Sequence, residues 1–166
     1  MKRNRPTKIR IRGAGRDAGC ELSIRIATRA HWTPGQRQFQ HWIEATLPRR
    51  LAPACMSIRV VGNAASSSLN ARYRAKHRPT NVLSFAGGGR LADGQYWLGD
   101  LVICAPVVAR EARAQRKSLE AHWAHMTVHG VLHLLGMDHV QASEARKMEL
   151  KEIQILDRLG FSDPYA

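Results

Sequence analysis

The spacing of apolar residues along the chain predicts strands interspersed with helices. Residues 21–27 alternate apolar and polar side chains, which is typical of a half-buried β-strand. Residues 36–47 place apolar side chains at helical spacing ahead of Pro48, which predicts an amphipathic helix that ends there. Similar patterns predict strands at 56–61, 81–85 and 98–104, and helices at 63–73, 106–116, 119–135 and 143–159. Strands and helices in this order predict one α+β or α/β domain with a small mixed sheet.

Two local features refine these elements. In the helix at 63–73, Leu69 is expected to face inward and the serines at 66–68 are compatible with the exposed side. Residues 86–94 hold four of the thirteen glycines and are expected to form a flexible loop.

The helix at 119–135 has a different pattern, because it is apolar on nearly every face apart from its histidines. A helix that is apolar all round is buried, so this one is expected in the middle of the fold. Ser118 is a suitable N-cap residue for it, and Gly136 is a natural end, because glycine enters the left-handed conformation without steric cost.

Three histidines at the end of this helix have the spacing of a metal site. His129 and His133 are four residues apart and share one helix face, and a chain that turns back at Gly136 could bring His139 to the same point. Three imidazoles leave a fourth position for water, as in a catalytic zinc site. His125 is eight residues from His133, roughly 12 Å at about 1.5 Å per residue, so these two cannot share an ion.

The motif reads H-G-x-x-H-x-x-G-x-x-H, which is the metzincin spacing with Gly130 in place of the catalytic glutamate. The three histidines are kept and the general base of the protease is missing. Peptide hydrolysis is therefore disfavoured, and a different hydrolytic chemistry is expected.

Composition is that of an ordinary globular protein, with 166 residues, 44% hydrophobic and 23% charged. Cys20, Cys55 and Cys104 are scattered and are expected to be reduced thiols in a cytosolic protein. No membrane span or secretory signal is evident. Residues 1–16 carry seven Lys/Arg and no acid, and are expected to be a nucleic-acid-binding arm, a targeting peptide or a disordered extension preceding a single domain at 17–166.

The net charge of +13 is unevenly distributed. Residues 1–90 hold 18 Lys/Arg against 3 Asp/Glu, whereas residues 91–166 hold 8 against 10. A basic half beside a candidate metal site favours a polyanionic substrate such as nucleic acid, although basic charge also serves solubility. The densest basic cluster supplies candidate phosphate contacts, namely Arg72, Arg74, Lys76 and Arg78.

Four motifs, in order along residues 21–166, resemble those of the bacterial endoribonuclease family YbeY, whose members are rRNA maturation factors. They are Leu69-Asn70-x-x-Tyr73-Arg74, Pro79-Thr80-Asn81-Val82-Leu83-Ser84-Phe85, Leu98-Gly99-Asp100-Leu101-Val102-Ile103 and the histidine motif that ends at His139. The resemblance implies a zincin-like α+β fold around a central metal-bearing helix, one zinc ion per chain and cleavage of single-stranded RNA. It also implies a cytoplasmic role in maturing the 3′ end of small-subunit ribosomal RNA and in ribosome quality control. The implied partners are the small ribosomal subunit and one of its proteins.

The same resemblance implies that His129, His133 and His139 are the metal ligands and that Arg59 is the functional arginine. The expected chemistry is metal-assisted phosphodiester hydrolysis, since zinc can lower the pKa of a bound water to about 7. Arg59 is expected to stabilise charge on the phosphate if the fold brings it to the cleft, and also to contact RNA. His125 and Asp138 are candidates for orienting a ligand or assisting proton transfer.

Two other functions remain open from the sequence. The protein could be a non-catalytic ribosome-assembly factor that uses zinc only to hold its shape, or a metal hydrolase that acts on small phosphoesters or peptides. The oligomeric state is not predicted.

Overall fold

The computed structural model describes residues 20–28, 32–137 and 141–166. These residues form four strands and five α-helices, which are in chain order β1 (Cys20–Ile26), α1 (Gln36–Thr46), β2 (Ala54–Val61), α2 (Asn63–Arg74), β3 (Val82–Arg90), β4 (Tyr96–Cys104), α3 (Ala105–Ala114), α4 (Leu119–Leu134) and α5 (Ala142–Arg158). A short 3₁₀ turn at Arg49–Leu51 precedes β2. Among the described helices, none combines the length and the apolar character needed to cross a membrane. The predicted elements are therefore confirmed, with bounds that shift by a few residues.

The four strands form one mixed sheet in the order β1-β2-β4-β3. Strands β1, β2 and β4 are parallel, and β3 pairs antiparallel with β4. Side chains alternate between the two faces of each strand, so Ile58 and Val60 of β2 are buried on one face while Arg59 is exposed on the other. Arg59 therefore points away from the buried face of β2.

Helix α4 lies in the middle of the molecule, as its all-round apolar pattern predicts. Eleven of its 16 residues are buried, and it packs against the sheet and against α1, α3 and α5. Phe39 of α1 meets Trp123 of α4 edge to face, with ring centroids 5.9 Å apart. The histidines of α4 are thus carried on a helix that is held on several sides.

The prediction of a flexible loop at 86–94 is wrong over its first half. Strand β3 continues through the glycines to Arg90, with a register shift between Ala86 and Gly89. A Cβ on Gly87 would lie 2.3 Å from the Trp97 carbonyl oxygen, so the backbones approach too closely for any side chain. The glycines permit this close approach at a bulge, which composition alone cannot distinguish from a loop.

The serines of α2 also differ from expectation, because Ser66 is buried with 2% exposure. Its hydroxyl donates to the carbonyl of Thr80 at 2.9 Å and accepts from the Thr80 N–H at 3.0 Å. One turn later the buried Asn70 donates from Nδ2 to the carbonyl of Arg78 at 2.7 Å. Leu69 is half-buried and packs on the sheet. Two buried polar side chains of α2 therefore hold the backbone of the segment that follows it.

Candidate metal centre and adjoining basic surface

Helix α4 begins and ends at the residues that its sequence favours. Ser118 is the N-cap, and its Oγ accepts a hydrogen bond from the N–H of Ala121 at 3.1 Å. At the other end Gly136 adopts φ +87°, and its N–H donates to the carbonyl of His133, while that of Met137 donates to Leu132. This pair of bonds is a Schellman motif, which turns the chain sharply after the last helical residue.

His129 and His133 lie in the last turns of α4 and direct the same ring nitrogen towards a common point. Their Nε2 atoms are 3.1 Å apart, and their ring centroids are 4.6 Å apart. Two nitrogens bound to one tetrahedral zinc ion at about 2.0–2.1 Å are separated by about 3.3–3.4 Å. The pair therefore has nearly the spacing that a shared ion needs. The third predicted ligand, His139, and its neighbour Asp138 lie outside the described residues.

A buried carboxylate on α5 holds the orientation of His129. Glu152 is fully buried, and its two oxygens accept hydrogen bonds from His129 Nδ1 at 2.7 Å, from His125 Nε2 at 2.9 Å and from the Tyr165 hydroxyl. With its Nδ1 donating to this carboxylate, His129 carries its lone pair on Nε2, the atom that faces His133. Burial disfavours the ionised form, but the hydrogen bonds from the two histidines outweigh it and lower the pKa of Glu152 to about 2. The carboxylate is thus ionised at neutral pH.

The group formed by His125, His129 and Glu152 could itself hold a metal ion, because its ligand atoms lie within 4.8 Å of one another. Its nitrogen–oxygen distances of 2.7–2.9 Å are those of direct hydrogen bonds. Two ligand atoms bound to one tetrahedral zinc ion are further apart, at about 3.3 Å. The distances are therefore those of a hydrogen-bonded group that contacts His129 through Nδ1. Burial lowers the pKa of His125, which favours its neutral form.

Gly130 faces the sheet rather than the histidine pair. A Cβ at this position would lie 2.9 Å from a methyl carbon of Leu101 and 3.2 Å from one of Val82. The glycine allows α4 to pack closely on the sheet, and a glutamate there would have no room. The absence of the protease general base thus has a packing reason as well as a chemical consequence.

Two residues of this centre were missed by the sequence reasoning, Glu152 and Tyr165. Glu152 lies at helical spacing between the buried Met148 and Ile155, so a carboxylate on the apolar face of an amphipathic helix was the signal that could have revealed it. Tyr165 comes after the last helix, in a segment without periodicity. Its ring also meets that of His125 edge to face at 5.4 Å. No sequence pattern indicates that contact.

The histidine pair opens into a cavity of about 410 Å³, called here the histidine cavity, which is also lined by Arg74, Asn81 and Glu149. Arg74 is therefore the predicted phosphate contact that the fold brings to the histidines. Lys76 and Arg78 line a neighbouring pocket of about 350 Å³ together with Arg74. Arg72 is exposed, and its guanidinium carbon is 5.5 Å from the centre of the Tyr73 ring.

Arg59 lines a different groove, so the condition on its expected role at the phosphate, that the fold brings it to the cleft, is not met in this arrangement. It lines a groove of about 500 Å³ on the face of the sheet opposite α4, beside Arg25, its partner in the β1–β2 register. Tyr73 of α2 and the hydrogen-bonded side chains of Ser57 and Asp100 line the same groove. The groove of Arg59 and the cavity of His129 and His133 thus have no described lining residue in common.

The described residues therefore form a single α+β domain with a histidine cavity on its central helix and a cationic pocket beside that cavity. The chain matches the family model described as Endoribonuclease YbeY over residues 22–160, and it belongs to that endoribonuclease family. The resemblance noted from four motifs is therefore confirmed, and the protein is a nuclease of the hydrolase class by its family.

The fold agrees with a known structure. The chain is similar to the solution structure of TM1509 from Thermotoga maritima, with a TM-score of 0.56 and 22% sequence identity. The match covers 82% of this chain and 88% of that one. At this identity the likeness establishes the shared fold alone.

Proposed function

We propose that this protein is a zinc-dependent endoribonuclease that hydrolyses phosphodiester bonds in single-stranded RNA. We further propose that it acts in the cytoplasm on the 3′ end of small-subunit ribosomal RNA and in ribosome quality control, with the small subunit and one of its proteins as partners. The observation that carries the proposal is the histidine pair, with Nε2 atoms 3.1 Å apart, in one cavity with Arg74. Membership of an endoribonuclease family supports RNA as the substrate.

His129 and His133 would hold one zinc ion through their Nε2 atoms, and His139 is proposed as the third ligand. The donor set fits, because two imidazole nitrogens at near-ligand spacing are backed by a carboxylate that fixes one of them. A bound zinc ion would supply Lewis acidity and a water of lowered pKa.

The chain's own residues bind and position the substrate. Arg74 presents a planar guanidinium to the histidine cavity, which suits a phosphate oxygen on which negative charge increases. Glu152, held by His125 and Tyr165, keeps Nε2 of His129 directed at His133.

The other arginine and lysine candidates have binding roles in this proposal. Because Arg59 lies on the far face of the sheet, we assign it to RNA binding in the groove that it shares with Arg25, and not to charge stabilisation at the cut bond. Arg72, Lys76 and Arg78 are proposed to contact phosphates through salt-sensitive charge.

The metal assignment is tested with two matched substitutions on the same helix, His133→Ala and His125→Ala. Metal content by mass spectrometry should fall to background for His133→Ala, whereas His125→Ala should retain the ion with weakened affinity. The reverse result would place the ion in the group of His125, His129 and Glu152 and would contradict the Nε2 assignment.

The activity is tested on labelled single-stranded and duplex RNA with and without a chelator. We expect cleavage of the single strand that the chelator abolishes, and a folded but inactive His133→Ala variant that still sediments with small ribosomal subunits. Unfolding of the variant in circular dichroism would favour a structural zinc in an assembly factor. If the protein hydrolysed small phosphoesters or peptides and added RNA did not inhibit it, the alternative of a metal hydrolase with such substrates would be favoured.

A further inference from the structure

A second cationic pocket adjoins the histidine cavity, and its four cations come from two parts of the chain. Arg74, Lys76 and Arg78 reach it from the end of α2 and the segment that follows, and Arg110 reaches it from α3. We refer to these four residues as the basic pocket. We propose, building on the endoribonuclease function above, that the basic pocket is a subsite for the backbone phosphate of an RNA nucleotide next to the one cut at the histidines. Arg110 is the binding residue that this adds.

The pocket is held in shape before any ligand arrives. Asn70 and Ser66, each 2% exposed, hydrogen-bond the backbone of Arg78 and Thr80. Ala75 ends α2 in the left-handed conformation at φ +55°, with its N–H bonded to the carbonyl of Ala71. The backbone that carries the cationic side chains is therefore fixed on both sides, and less conformational entropy is lost when an anion binds.

The pocket carries more positive than negative charge, because its described lining residues include four cations and one carboxylate, that of Glu111. Within residues 20–28, 32–137 and 141–166, none of the four cations has a carboxylate oxygen within ion-pair distance. That carboxylate accepts hydrogen bonds from His122 Nε2 at 2.9 Å and from Asn81 Nδ2 at 3.1 Å, and the charge of Arg110 helps to lower its pKa. Four converging cations against one carboxylate favour an external anion such as phosphate.

Arg74 and Asn81 line both the basic pocket and the histidine cavity, so the two adjoin each other. A polyanion with a phosphate at the histidines can therefore place its next phosphates among the four cations. A substrate with a single phosphodiester, bound at the histidines, has no further phosphate to place in the basic pocket. This difference separates the proposed subsite from the cutting site.

The test compares Arg110→Ala with Arg113→Ala, which removes the same charge from an exposed position one turn further along α3. Each variant and the wild-type protein, loaded with zinc, is assayed on a dinucleotide and on a single-stranded RNA of about ten nucleotides. We expect Arg110→Ala to lower kcat/KM for the longer RNA about five- to tenfold, mainly through KM, with a shallower salt dependence. Its activity on the dinucleotide, and that of Arg113→Ala on both RNAs, should stay within about twofold of wild type.

Equal losses on both substrates, or equal losses from Arg110→Ala and Arg113→Ala, would overturn the subsite. If wild-type protein cuts neither RNA, the proposed function fails, and the subsite is judged separately by fluorescence anisotropy of the labelled longer RNA. Weaker binding by Arg110→Ala than by Arg113→Ala then supports it, and equal binding refutes it.

Discussion

Replacing Glu152 with glutamine tests whether a buried carboxylate orients the proposed metal ligand. The carboxylate accepts three donors, from His125, His129 and Tyr165, and a glutamine keeps one accepting oxygen and introduces an NH₂ group. If the amide oxygen faces His129, the NH₂ group faces the donors of His125 and Tyr165. If it faces the other way, the NH₂ group forces His129 to carry its proton on Nε2, where the ion should bind.

Both orientations have a cost that can be worked from these contacts. When the amide oxygen faces His129, at least one hydrogen bond to a charged acceptor is lost, worth about 1.5–3 kcal/mol. A tautomer change at His125 does not recover that bond. Nδ1 of that histidine is buried without a hydrogen-bond partner among the described residues, so a proton moved there would stay unsatisfied. We expect the metal-free variant to lose about 2–4 kcal/mol of unfolding free energy. The second orientation competes with the ion, so zinc affinity should fall about 10–100-fold.

Zinc affinity is measured by competition with a chromophoric chelator, and unfolding free energy by denaturant titration of the metal-free protein. Glu149→Gln is the matched control, because Glu149 lies one turn earlier on α5 and lines the same cavity without contacting either histidine through a hydrogen bond. We expect the control to change affinity by less than about threefold. A Glu152→Gln variant that binds zinc as tightly as wild type would refute the orienting role. If Glu152→Gln lost zinc binding completely while His133→Ala still bound zinc, Glu152 would itself be a ligand.

Three further substitutions test the packing and the charge around α4. Gly130→Ala should lower the unfolding free energy by about 1 kcal/mol, because a Cβ would lie 2.9 Å from a Leu101 methyl and the cost of this overpacking exceeds the gain in helix propensity. An unchanged unfolding free energy would contradict the close packing. Gly99→Ala should cost more than about 3 kcal/mol, since φ is +125° and a Cβ would lie 2.1 Å from a β3 carbonyl oxygen; a Tm within a few degrees of wild type would rule this out. Glu111 has a pKa below its ordinary 4.5, because hydrogen bonds from His122 and Asn81 outweigh the effect of burial. The ionised carboxylate therefore stabilises the folded protein above about pH 4.5, and this contribution is lost as pH falls through the lowered pKa. The difference in unfolding free energy between metal-free wild type and Glu111→Gln should therefore shrink in acid, and a difference that stays constant from about pH 7 to pH 3 would disprove the coupling.

The helix and its histidine pair follow from local sequence. Four-residue spacing places His129 and His133 on one face whatever the rest of the chain does, and Ser118 and Gly136 delimit the helix through their own backbone and capping preferences. All-round apolar character likewise predicts that α4 is central. These features depend on contacts within a few residues, which periodicity can read.

The surroundings of the pair depend on contacts between residues far apart in the chain. Glu152 meets His129 only because α5 packs across α4, 23 residues later. The buried side of Ser66 and the course of the glycine segment after Ala86 depend on strand pairing and helix packing. The resemblance marked Arg59 as a functional arginine, but its position relative to the cleft depends on strand alternation and on the packing of α4 against the opposite face of the sheet. Sequence by itself determined which residues share a helix face; only tertiary packing decided which faces meet, because burial and pairing energies are shared among elements that no local pattern connects.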